Sequence, residues 1–267
     1  MLICGITGYS GNLGKKFLQV ANNFKFIKFK GDVRKKTDLE KWLKNKKFDL
    51  IIHFAAIVPI AKVDKNYKKA VDVNAIGTKN IIEILKKKTS VKWFFFSSTS
   101  HVYPFSNKKL KETANPSPIT KYGKTKYLAE KLIQKELRNS KIKFCIGRIF
   151  SIIDNKNKFF FLNSLKNKIN TTKKIIKLDN LNHTRDFLST EQICRAILVL
   201  WNNKHQGIIN IGGGEKTSLK KIALLIAKKY KKKLVFTNNY KTQLVADISK
   251  LKQYGFKIKK LNFFKYF

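Results

Sequence analysis

The sequence predicts an α/β fold, in which a doubly wound parallel sheet is followed by a smaller α/β lobe. Apolar runs of strand length alternate with helical stripes over residues 1–150, as expected for a parallel sheet with helices on both faces. A glycine-rich turn follows the first strand and opens a helix, an arrangement typical of this class. The 267-residue chain is 43% hydrophobic, which is enough to bury a core.

The first half of the chain contains five predicted strands joined by helices. Leu2–Thr7 is a short apolar run closed by a glycine, which is typical of a buried strand. From Asn12 onward, apolar residues recur at helical spacing. Further strands are predicted at Phe24–Phe29, Leu50–Ala55, Trp93–Ser98 and Phe144–Phe150, and helices around Leu39–Leu43, Ile76–Leu85 and Tyr122–Leu137.

The second half is less regular. Ser189 and Gln192 predict a capping box, with Ser189 as the helix cap and Gln192 reaching back to it. Ile208–Ile211 reads as a strand, and Ser218 is placed to cap a final helix. We therefore expect one unit over residues 1–155 and a second over 156–267, partly interleaved with the first.

The composition excludes several classes of protein. The chain carries 58 Lys and Arg against 16 Asp and Glu, a formal net charge of +42. Its lysines are spread along the whole chain and only five cations are arginines, so we expect weak nonspecific polyanion binding and no specific nucleic-acid partner. No apolar run approaches the ~20 residues that a membrane-spanning helix needs, so no membrane insertion is expected.

The cysteines and the first residues indicate a cytoplasmic protein. Cys4, Cys145 and Cys194 are widely spaced in apolar contexts, where cysteine packs as a small hydrophobe in a reducing compartment. Neither these cysteines nor the four histidines have the spacing of metal ligands, so no metal is predicted. A signal peptide is not expected, because its cleavage would destroy the glycine motif Thr7–Gly14.

The glycine motif predicts dinucleotide binding by a Rossmann-type unit. Gly8, Gly11 and Gly14 recur at a spacing of three, directly after a strand and at the start of a helix. Glycines let the backbone approach a pyrophosphate, and the helix N-terminus supplies free N–H groups. A glycine pattern alone is weak, since tight turns use the same residue, but here the strand and helix context agrees with it.

A second constellation joins a tyrosine, a lysine and a hydroxyl. Tyr122 and Lys126 are four residues apart, so one helix face presents both. A nearby ammonium, joined by an oxidised nicotinamide, favours the phenolate, and we expect the two together to lower the pKa of Tyr122 from its usual ~10. A tyrosine and a lysine at this spacing are common on solvent-exposed helix faces, so the pair alone does not indicate a functional site. Thr99, however, ends a predicted strand at the sheet edge where α/β proteins bind ligands.

These motifs, in this order, resemble the extended short-chain dehydrogenase/reductase family, in the branch that acts on nucleotide sugars. The resemblance extends over nearly the whole chain and implies an NAD(P)-dependent enzyme. The segments that carry it are Thr7–Gly14, Gly31–Val33, His53–Ala56, Val73–Thr78, Ser97–Tyr103, Arg185–Phe187 and Asn210–Glu215.

The resemblance implies a role for each matching residue. The catalytic residues are Thr99, which orients the sugar O4, Tyr122, which exchanges a proton with O4, and Lys126, which holds the ribose and tunes Tyr122. The predicted cofactor contacts are Gly8, Tyr9, Ser10, Gly11, Asn12, Leu13, Lys30, Asp32, Val33, Phe54, Ala55, Ala56, Asn74, Tyr122, Lys126 and Ile149. The predicted substrate contacts are Thr99, Ser100, Ser151 and Arg185, where Arg185 grips the diphosphate.

The departures from the family pattern narrow the activity. Dehydratases of the family carry acidic residues after the catalytic threonine, whereas this chain has Ser100 and His101, so a 4,6-dehydratase is not expected. No cysteine stands there as an epimerising base. His101 and His183 are interpreted as polar loop residues, with proton transfer as the alternative.

The adenosine end of the cofactor site favours NADP over NAD. No carboxylate is predicted at the end of the strand after the glycine motif to accept the ribose 2′-hydroxyl. A 2′-phosphate would instead meet the cations of Lys28, Lys30, Arg34 and Lys35. Because lysine is abundant everywhere in this chain, these cations are weak evidence, and NAD remains the alternative cofactor.

The resulting hypothesis is a homodimeric, cytoplasmic enzyme that exchanges hydride between C4 of a nucleoside-diphosphate sugar and a nicotinamide. Reduction of a 4-keto-6-deoxy sugar nucleotide is favoured, because the short adenosine wall and the missing carboxylate suit a cofactor that exchanges. A 4-epimerase is the alternative. A noncatalytic dinucleotide sensor is a third class, and it would need none of Thr99, Tyr122 and Lys126.

Overall fold

A sheet of six parallel strands forms the centre of the computed structural model, which describes residues 1–58, 60–87, 90–154, 161–171, 175–179, 181–237 and 240–266. The strands are β1 (Leu2–Thr7), β2 (Phe24–Lys28), β3 (Leu50–His53), β4 (Trp93–Thr99), β5 (Lys143–Ile149) and β10 (Gly207–Ile211). Their spatial order is β10-β5-β4-β3-β1-β2, and every neighbouring pair is parallel. This is the doubly wound fold that the alternating strand and helix signals predict, and it is confirmed.

Helices cover both faces of this sheet. On one face α1 (Asn12–Val20) packs against α8 (Thr190–Asn202), and on the other α5 (Gly77–Lys86) packs against α6 (Lys121–Leu137) and α2 (Lys36–Leu43). In β4, Trp93 and Phe95 point into the core on the side of α1 and α8. Phe94 and Phe96 point into the core on the side of α2, α5 and α6. A strand buried on both faces has to be apolar throughout, which explains why β4 begins as a continuous aromatic run.

Two short helices and a π-helical turn precede α5. They are α3 (Ile60–Lys65), α4 (Tyr67–Val71) and the π-helical turn Asp72–Ile76. A 3₁₀ turn, Ser100–Val102, follows β4 directly. In the part of the chain that the structure describes, no helix is both long and apolar enough to span a bilayer.

The remaining residues form a smaller lobe with its own core. Its strands pair in small groups: β7 (Ile175–Asp179) with β12 (Lys233–Thr237), β8 (His183–Arg185) with β11 (Thr217–Ser218) and β13 (Thr242–Leu244), and β6 (Ser151–Ile153) with β9 (Phe187–Ser189). Its helices are α7 (Phe161–Thr171) and α9 (Leu219–Lys229), and a 3₁₀ turn lies at Phe263–Tyr266. The short helix α10 (Ser249–Gln253) packs instead against β10 of the central sheet. The described side chains of α7 and α9 share an apolar cluster with β7.

Most predicted helix starts agree with the structure, and one capping detail is wrong. The Ser189 side chain accepts from the Gln192 backbone N–H, and Ser218 accepts from that of Lys221, so both caps are confirmed. The Gln192 side chain does not reach back to Ser189. It donates instead to the Lys259 carbonyl at 2.9 Å and accepts from the Lys259 N–H at 3.2 Å. A long-range partner has replaced the local one.

The predicted division between residues 155 and 156 lies outside the described residues. Beyond it, α8 and β10 return to the central sheet, so residues on both sides of the division build the first unit. Several predicted strands also end earlier in the structure, since Phe29, Phe54, Ala55 and Phe150 lie beyond the last paired residues.

Candidate functional site

A cleft of about 990 Å³ opens at the carboxyl ends of β1, β2 and β3. This edge is where parallel α/β sheets bind ligands. Its lining consists of Gly8, Tyr9, Ser10, Gly11, Asn12, Leu13, Gly14, Phe29, Lys30, Gly31, Asp32, Val33, Asp38, Phe54, Ala55, Ala56, Val58, Val73 and Ile152. The structure thus brings together the predicted contacts from the glycine loop and from the segments that follow β2 and β3.

The glycine loop forms one wall of the cleft. Gly8 has a φ of +65°, and a Cβ atom there would lie 2.5 Å from the Ala55 backbone nitrogen, so no other residue fits. The turn closes through the Gly11 N–H, which donates to the Gly8 carbonyl at 3.1 Å. The Gly11 cap of α1 has no side chain to offer, which leaves the first N–H groups of the helix for a ligand. The side-chain nitrogen of Asn12 is buried without a hydrogen-bond partner among the described residues.

A buried chain of hydrogen bonds supports this wall from below. The Thr78 hydroxyl donates to the Asn74 carbonyl at 2.8 Å, so it accepts from His53 Nε2 at 3.0 Å. His53 Nδ1 must then accept from Thr7 Oγ1 at 2.6 Å, and Thr7 Oγ1 in turn accepts from the Ala55 N–H at 3.2 Å. Burial lowers the pKa of His53 to about 3, with a contribution from the Lys126 charge, so the ring is neutral.

Four predicted cofactor contacts, Asn74, Tyr122, Lys126 and Ile149, are not part of the cleft lining. Asn74 is fully buried, its side chain accepting from the Ile57 N–H at 2.7 Å and donating to Thr125 Oγ1 at 3.0 Å. Ile149 is buried at the end of β5, whereas Ile152 reaches the cleft. The geometry supports an architectural role for Asn74 and no cofactor contact for Ile149.

The wall that follows β2 carries carboxylates as well as cations. Asp38, from the first turn of α2, lines the cleft, and its Oδ2 accepts from the Asp32 N–H at 2.9 Å. The expectation that no carboxylate stands there is wrong, because Asp38 in the first turn of the next helix supplies one. Arg34 forms an ion pair with Asp32, and its hydrogen bond to that carboxylate lowers the pKa of Asp32. The guanidinium of Arg34 is therefore already engaged.

Thr99, Tyr122 and Lys126 lie together beside this cleft. Thr99 ends β4 and is 5% exposed. Thr120 caps α6 by accepting from the Gly123 N–H at 3.0 Å, which starts the helix directly before Tyr122. A Cβ atom at position 123 would collide with the His101 carbonyl, so Gly123 allows α6 to approach the turn after β4. This close approach brings the Tyr122 phenol within hydrogen-bonding reach of Thr99.

Burial dominates the electrostatics of this cluster. It raises the pKa of the Tyr122 phenol well above its usual value, and the hydrogen bond with Thr99 only partly opposes this. Lys126 is not among the groups that shift the pKa of Tyr122 here, and the lowering expected from the ammonium together with an oxidised nicotinamide stays a prediction. Burial also lowers the pKa of Lys126 to about 7, against the attraction of Glu130. Both groups are removed from water, which disfavours each charged form.

The Lys126 ammonium has no hydrogen-bond partner in the part of the chain that the structure describes. Its side chain is almost completely buried, and Nζ lies 4.1 Å from the centre of the Phe96 ring. A buried ammonium without a partner is costly, so native structures rarely retain one without a function. Lys126 Nζ thus retains a hydrogen-bonding capacity that no described residue uses.

His101, interpreted from the sequence as a polar loop residue with proton transfer as the alternative, lies beside Tyr122. Its Nδ1 is buried and finds no partner among the described side chains and backbone, and its ring lies edge-on to the Tyr122 ring, with 6.1 Å between the centroids. Burial and the charge of Arg185 lower the pKa of His101 to about 4, so the ring is neutral. The sequence signal was its position two residues after Thr99. A buried ring nitrogen without a partner beside Tyr122 suits a ligand that carries a hydroxyl group.

The other predicted substrate residues come from both units: Ser100 follows β4 of the central sheet, whereas Ser151 and Arg185 lie on strands of the smaller lobe. Arg185 Nη1 donates to Thr242 Oγ1 at 2.9 Å, and the guanidinium lies 5.7 Å from the Phe105 ring. Ser100 is buried directly after Thr99, and Ser151 is half-buried at the start of β6. The contacts with Thr242 and Phe105 fix the Arg185 side chain, and its other N–H groups can still donate to a ligand.

The strand that carries Arg185 is held by a buried carboxylate. Asp186 accepts from the N–H groups of Gly213 at 2.6 Å, Gly214 at 2.9 Å and Ala246 at 3.0 Å. Burial nevertheless raises the pKa of Asp186 to about 6, because three backbone donors do not replace full hydration. No group of three or more metal-ligating side chains occurs among the residues that the structure describes.

A model of the NAD dependent epimerase/dehydratase family matches residues 1–212 of the chain. Among curated proteins, UDP-glucose 4-epimerase of Pisum sativum is 35% identical over 103 residues, which cover 38% of this chain and 29% of that protein. GDP-6-deoxy-D-talose 4-dehydrogenase of Aggregatibacter actinomycetemcomitans is 28% identical over 205 residues, which cover 72% of this chain and 67% of that protein.

"Putative UDP-glucose 4-epimerase" of Methanocaldococcus jannaschii is 30% identical over 196 residues, which cover 72% of this chain and 64% of that protein. The chain therefore spans less than two thirds of the archaeal and pea proteins.

Solved structures share the fold over almost the whole chain. RMD of Pseudomonas aeruginosa, solved with NADPH, superposes with a TM-score of 0.87 at 18% identity, covering 98% of this chain and 95% of that one. UDP-glucose 4-epimerase of Thermus thermophilus, solved with NAD, gives a TM-score of 0.83 at 16% identity, covering 96% and 94%. Likeness at this level of identity supports the fold alone.

Proposed function

Because this chain belongs to the NAD dependent epimerase/dehydratase family, we propose that it catalyses NAD(P)-dependent oxidoreduction at C4 of a nucleoside-diphosphate sugar. The observation that carries the proposal is the cluster of Thr99, Tyr122 and Lys126, whose buried Nζ has no partner among the described residues. Two of the relatives, from pea and from Aggregatibacter, bear names that place their chemistry at C4 of a nucleotide sugar. A noncatalytic sensor is disfavoured, because it would not need this cluster.

The cleft fits a dinucleotide by its chemistry. The free N–H groups at the start of α1 suit a pyrophosphate, and the side-chain nitrogen of Asn12, unpartnered within the described chain, can donate to the same ligand. Lys126 would donate to the ribose hydroxyls beside the nicotinamide. A bound nicotinamide dinucleotide supplies the acceptor or donor of hydride. Every other step falls to side chains of this chain.

Tyr122 is the proton-transfer residue in this proposal. In the reducing direction its phenol donates a proton to the O4 that develops negative charge, and in the oxidising direction it accepts that proton. Its raised pKa keeps it protonated before reaction, which suits the reducing direction. Thr99 orients O4 through its own hydroxyl. Lys126, when charged, stabilises the phenolate that remains after proton donation.

The substrate side would be formed by Ser100, His101, Ser151 and Arg185. The Arg185 guanidinium is preorganised by Thr242 and Phe105 and retains donors for a diphosphate. His101 Nδ1 would complete its hydrogen bonding with a sugar hydroxyl. This extends the predicted substrate residues by one that the sequence interpretation assigned to a loop.

We favour reduction of a 4-keto-6-deoxy sugar nucleotide, with 4-epimerisation as the alternative. A reductase must exchange its spent cofactor, and the adenosine wall is a single short segment between β2 and α2 that leaves the cleft open. NADP is favoured over NAD, because Lys30 lines this wall and would attract a 2′-phosphate. The presence of Asp38 weakens that preference, since a carboxylate there also suits a 2′-hydroxyl.

The experiment that tests the reaction measures bound cofactor and turnover together. We expect purified protein to carry little dinucleotide and to oxidise one NADPH for each 4-keto-6-deoxy sugar nucleotide reduced. Dinucleotide is quantified after denaturation, and the product by NMR. A full equivalent of NAD in the purified protein, with inversion at C4 and no net oxidation, would assign the epimerase activity instead. No reaction of either kind across a panel of nucleotide sugars would contradict both proposals.

The same proposal includes a cytoplasmic homodimer. The three cysteines are buried and unpaired, as suits a reducing compartment. Helices α5 and α6 pack side by side, and Leu128 on α6 is 36% exposed. We expect sedimentation to give a dimer and Leu128→Glu to weaken it. A monomer at all accessible concentrations would contradict this assembly.

A further inference from the structure

An ion pair lies buried beneath the same helix that carries Lys126. Arg148 on β5 and Glu130 on α6 have side chains that are 1% and 0% exposed. The guanidinium binds the carboxylate in a bidentate manner, with Nη2 2.7 Å from Oε2 and Nε 3.1 Å from Oε1. Ser98 also donates its hydroxyl to this carboxylate. Both oxygens of Glu130 are thus engaged by groups other than Lys126.

Arg148 is held in place by groups other than Glu130. Its guanidinium stacks over the Tyr103 ring at 4.6 Å, and Nη1 points to the Glu112 carbonyl at 3.4 Å. The Tyr103 hydroxyl donates to Asn210 Oδ1 at 2.8 Å, which fixes the ring. Because these anchors come from the loop after β4 and from β10, Arg148 does not depend on α6 for its position.

Glu130 stands one helical turn after Lys126, the spacing at which opposite charges on a helix usually pair. They do not pair here, since Nζ has no partner in the described structure although both side chains are buried. The titratable groups that face Lys126 from neighbouring positions carry no charge, because His53 on β3 is a neutral ring and Tyr122 on α6 is a protonated phenol. Among the described residues, the Glu130 carboxylate is therefore the anion for which Lys126 and Arg148 compete.

We propose that Arg148 is a positioning residue that engages the Glu130 carboxylate and so leaves the Lys126 ammonium free to bind the dinucleotide. The inference rests on the proposed function, in which Lys126 contacts the ribose. Arg148 itself touches neither cofactor nor substrate. Its effect passes through Glu130, so it acts on cofactor binding and on the charge of Lys126 together.

Removing Arg148 should redirect Glu130. A buried carboxylate without its guanidinium would take Lys126 as its replacement cation. An opposite charge at close range raises the pKa of an ammonium by about 1–3 pH units. The same contact draws Nζ toward the interior and away from the cleft. Weaker dinucleotide binding and a higher pKa of Lys126 should therefore appear together.

The experiment titrates NADPH by fluorescence at pH 6 to 9 against the whole chain and four variants. For the wild type we expect affinity to fall as the pH rises through about 7, where Lys126 loses its charge. Arg148→Met should raise the Kd at least about tenfold and move that pH midpoint up by at least about one unit. Glu130→Gln should keep the Kd within about threefold and move the midpoint down, since the attraction of Glu130 is lost.

The double variant Glu130→Gln/Arg148→Met decides between positioning and general stability. It has no carboxylate left to capture Lys126, so its Kd should return to within about threefold of the wild type. A folded double variant that binds NADPH as weakly as Arg148→Met would overturn the proposal. If Arg148→Met alone does not fold, the Kd of the double variant and the downward shift in Glu130→Gln carry the test.

Lys126→Met separates failure of this inference from failure of the proposed function. If it leaves NADPH binding unchanged, Lys126 is not a dinucleotide ligand and the proposed function is wrong at that residue. If it weakens binding while the double variant is not rescued, Lys126 is a ligand and the role of Arg148 is wrong. Circular dichroism and the Tm of each variant verify that the folded state is compared.

Discussion

The interior under the glycine loop and the interior beside Tyr122 are both buried and polar, yet they differ in how their polar atoms are satisfied. Under the loop, Thr7, His53 and Thr78 form an unbroken chain in which each donor has one acceptor. Beside Tyr122, Lys126 Nζ and His101 Nδ1 are buried with no partner in the described chain. Two regions with similar residue types thus have opposite hydrogen-bond balance.

The difference indicates where architecture ends and ligand binding begins. A buried polar group without a partner costs about 1–3 kcal/mol, so a cluster of such groups is a candidate for contact with a ligand. The hydrogen bonds that join Thr7, His53 and Thr78 fix the positions of β1, β3 and α5 relative to one another. The unsatisfied atoms face the region in which a dinucleotide and a sugar would meet.

The largest expected effect comes from the unsatisfied region. Tyr122→Phe should lower kcat by about 10²–10⁴-fold, because the proton donor or acceptor of the reaction is lost. The Kd for NADPH should change little, since the phenyl ring remains. Steady-state kinetics and a fluorescence titration measure the two quantities. A variant that keeps more than about half of the wild-type rate would remove Tyr122 from its assigned role.

Lys126→Met should have the second-largest effect, which we expect on the binding of NADPH. Hydrogen bonds to a charged group contribute about 1.5–3 kcal/mol, so the Kd for NADPH should rise by about 10–100-fold at pH 6. At pH 8.5 the two proteins should differ less, because the lowered pKa of Lys126, about 7, leaves the wild type mostly uncharged there. If the Kd values of Lys126→Met and the wild type differed more at high pH than at low pH, this expected pH dependence would be contradicted.

In the interior under the glycine loop, where the polar atoms all have partners, we expect a substitution to lower stability rather than activity. Thr78→Val keeps the shape of the side chain but leaves His53 Nε2 without its acceptor and the Asn74 carbonyl without its donor. We expect the free energy of unfolding to drop by about 1–3 kcal/mol, measured with urea. The kcat of the folded fraction should stay within about twofold, and a large loss of kcat at unchanged stability would reverse the comparison.

His101→Gln is the matched change beside Tyr122. Because Nδ1 has no partner to lose within the described residues, the free energy of unfolding should change by less than about 0.5 kcal/mol. The KM for the sugar nucleotide should rise by about 2–10-fold, as expected for one lost hydrogen bond. If stability falls as far as in Thr78→Val while KM does not move, His101 belongs with the structural residues.

The smallest effect concerns the adenosine wall. Lys30→Glu places a carboxylate where a 2′-phosphate would lie, so the Kd for NADPH should rise about threefold to tenfold more than the Kd for NADH. Lys135→Glu, on an exposed position of α6 outside the cleft lining, makes the same change of charge and serves as the control. Equal changes for the two cofactors would remove the preference for NADP.

The sequence was sufficient for the central sheet and the cleft, because both are encoded locally. A run such as Trp93–Phe96 can only be a strand buried on both faces, and the glycine loop is read from Gly8, Gly11 and Gly14 alone. Helix caps such as Ser218 are equally local. Signals of this kind need no knowledge of distant residues.

The remainder depends on long-range contacts that no local pattern encodes. Asp38 reaches the cleft from the next helix, and Gln192 bonds with residue 259 rather than with its own cap. The pKa of Tyr122 is decided by burial, which spacing to Lys126 does not report. The strands of the smaller lobe are two to five residues long and pair across large separations, which leaves little periodicity to detect.

The edge strand β10 has a consequence for how the protein is made. It pairs with β5, yet residues 150–206 lie between the two strands in the chain, and much of that stretch belongs to the smaller lobe. During synthesis the nascent sheet therefore presents the open edge of β5 until the ribosome has released residue 211. An exposed edge invites pairing with another chain. Translation of this stretch is thus the interval in which the growing polypeptide most needs a chaperone.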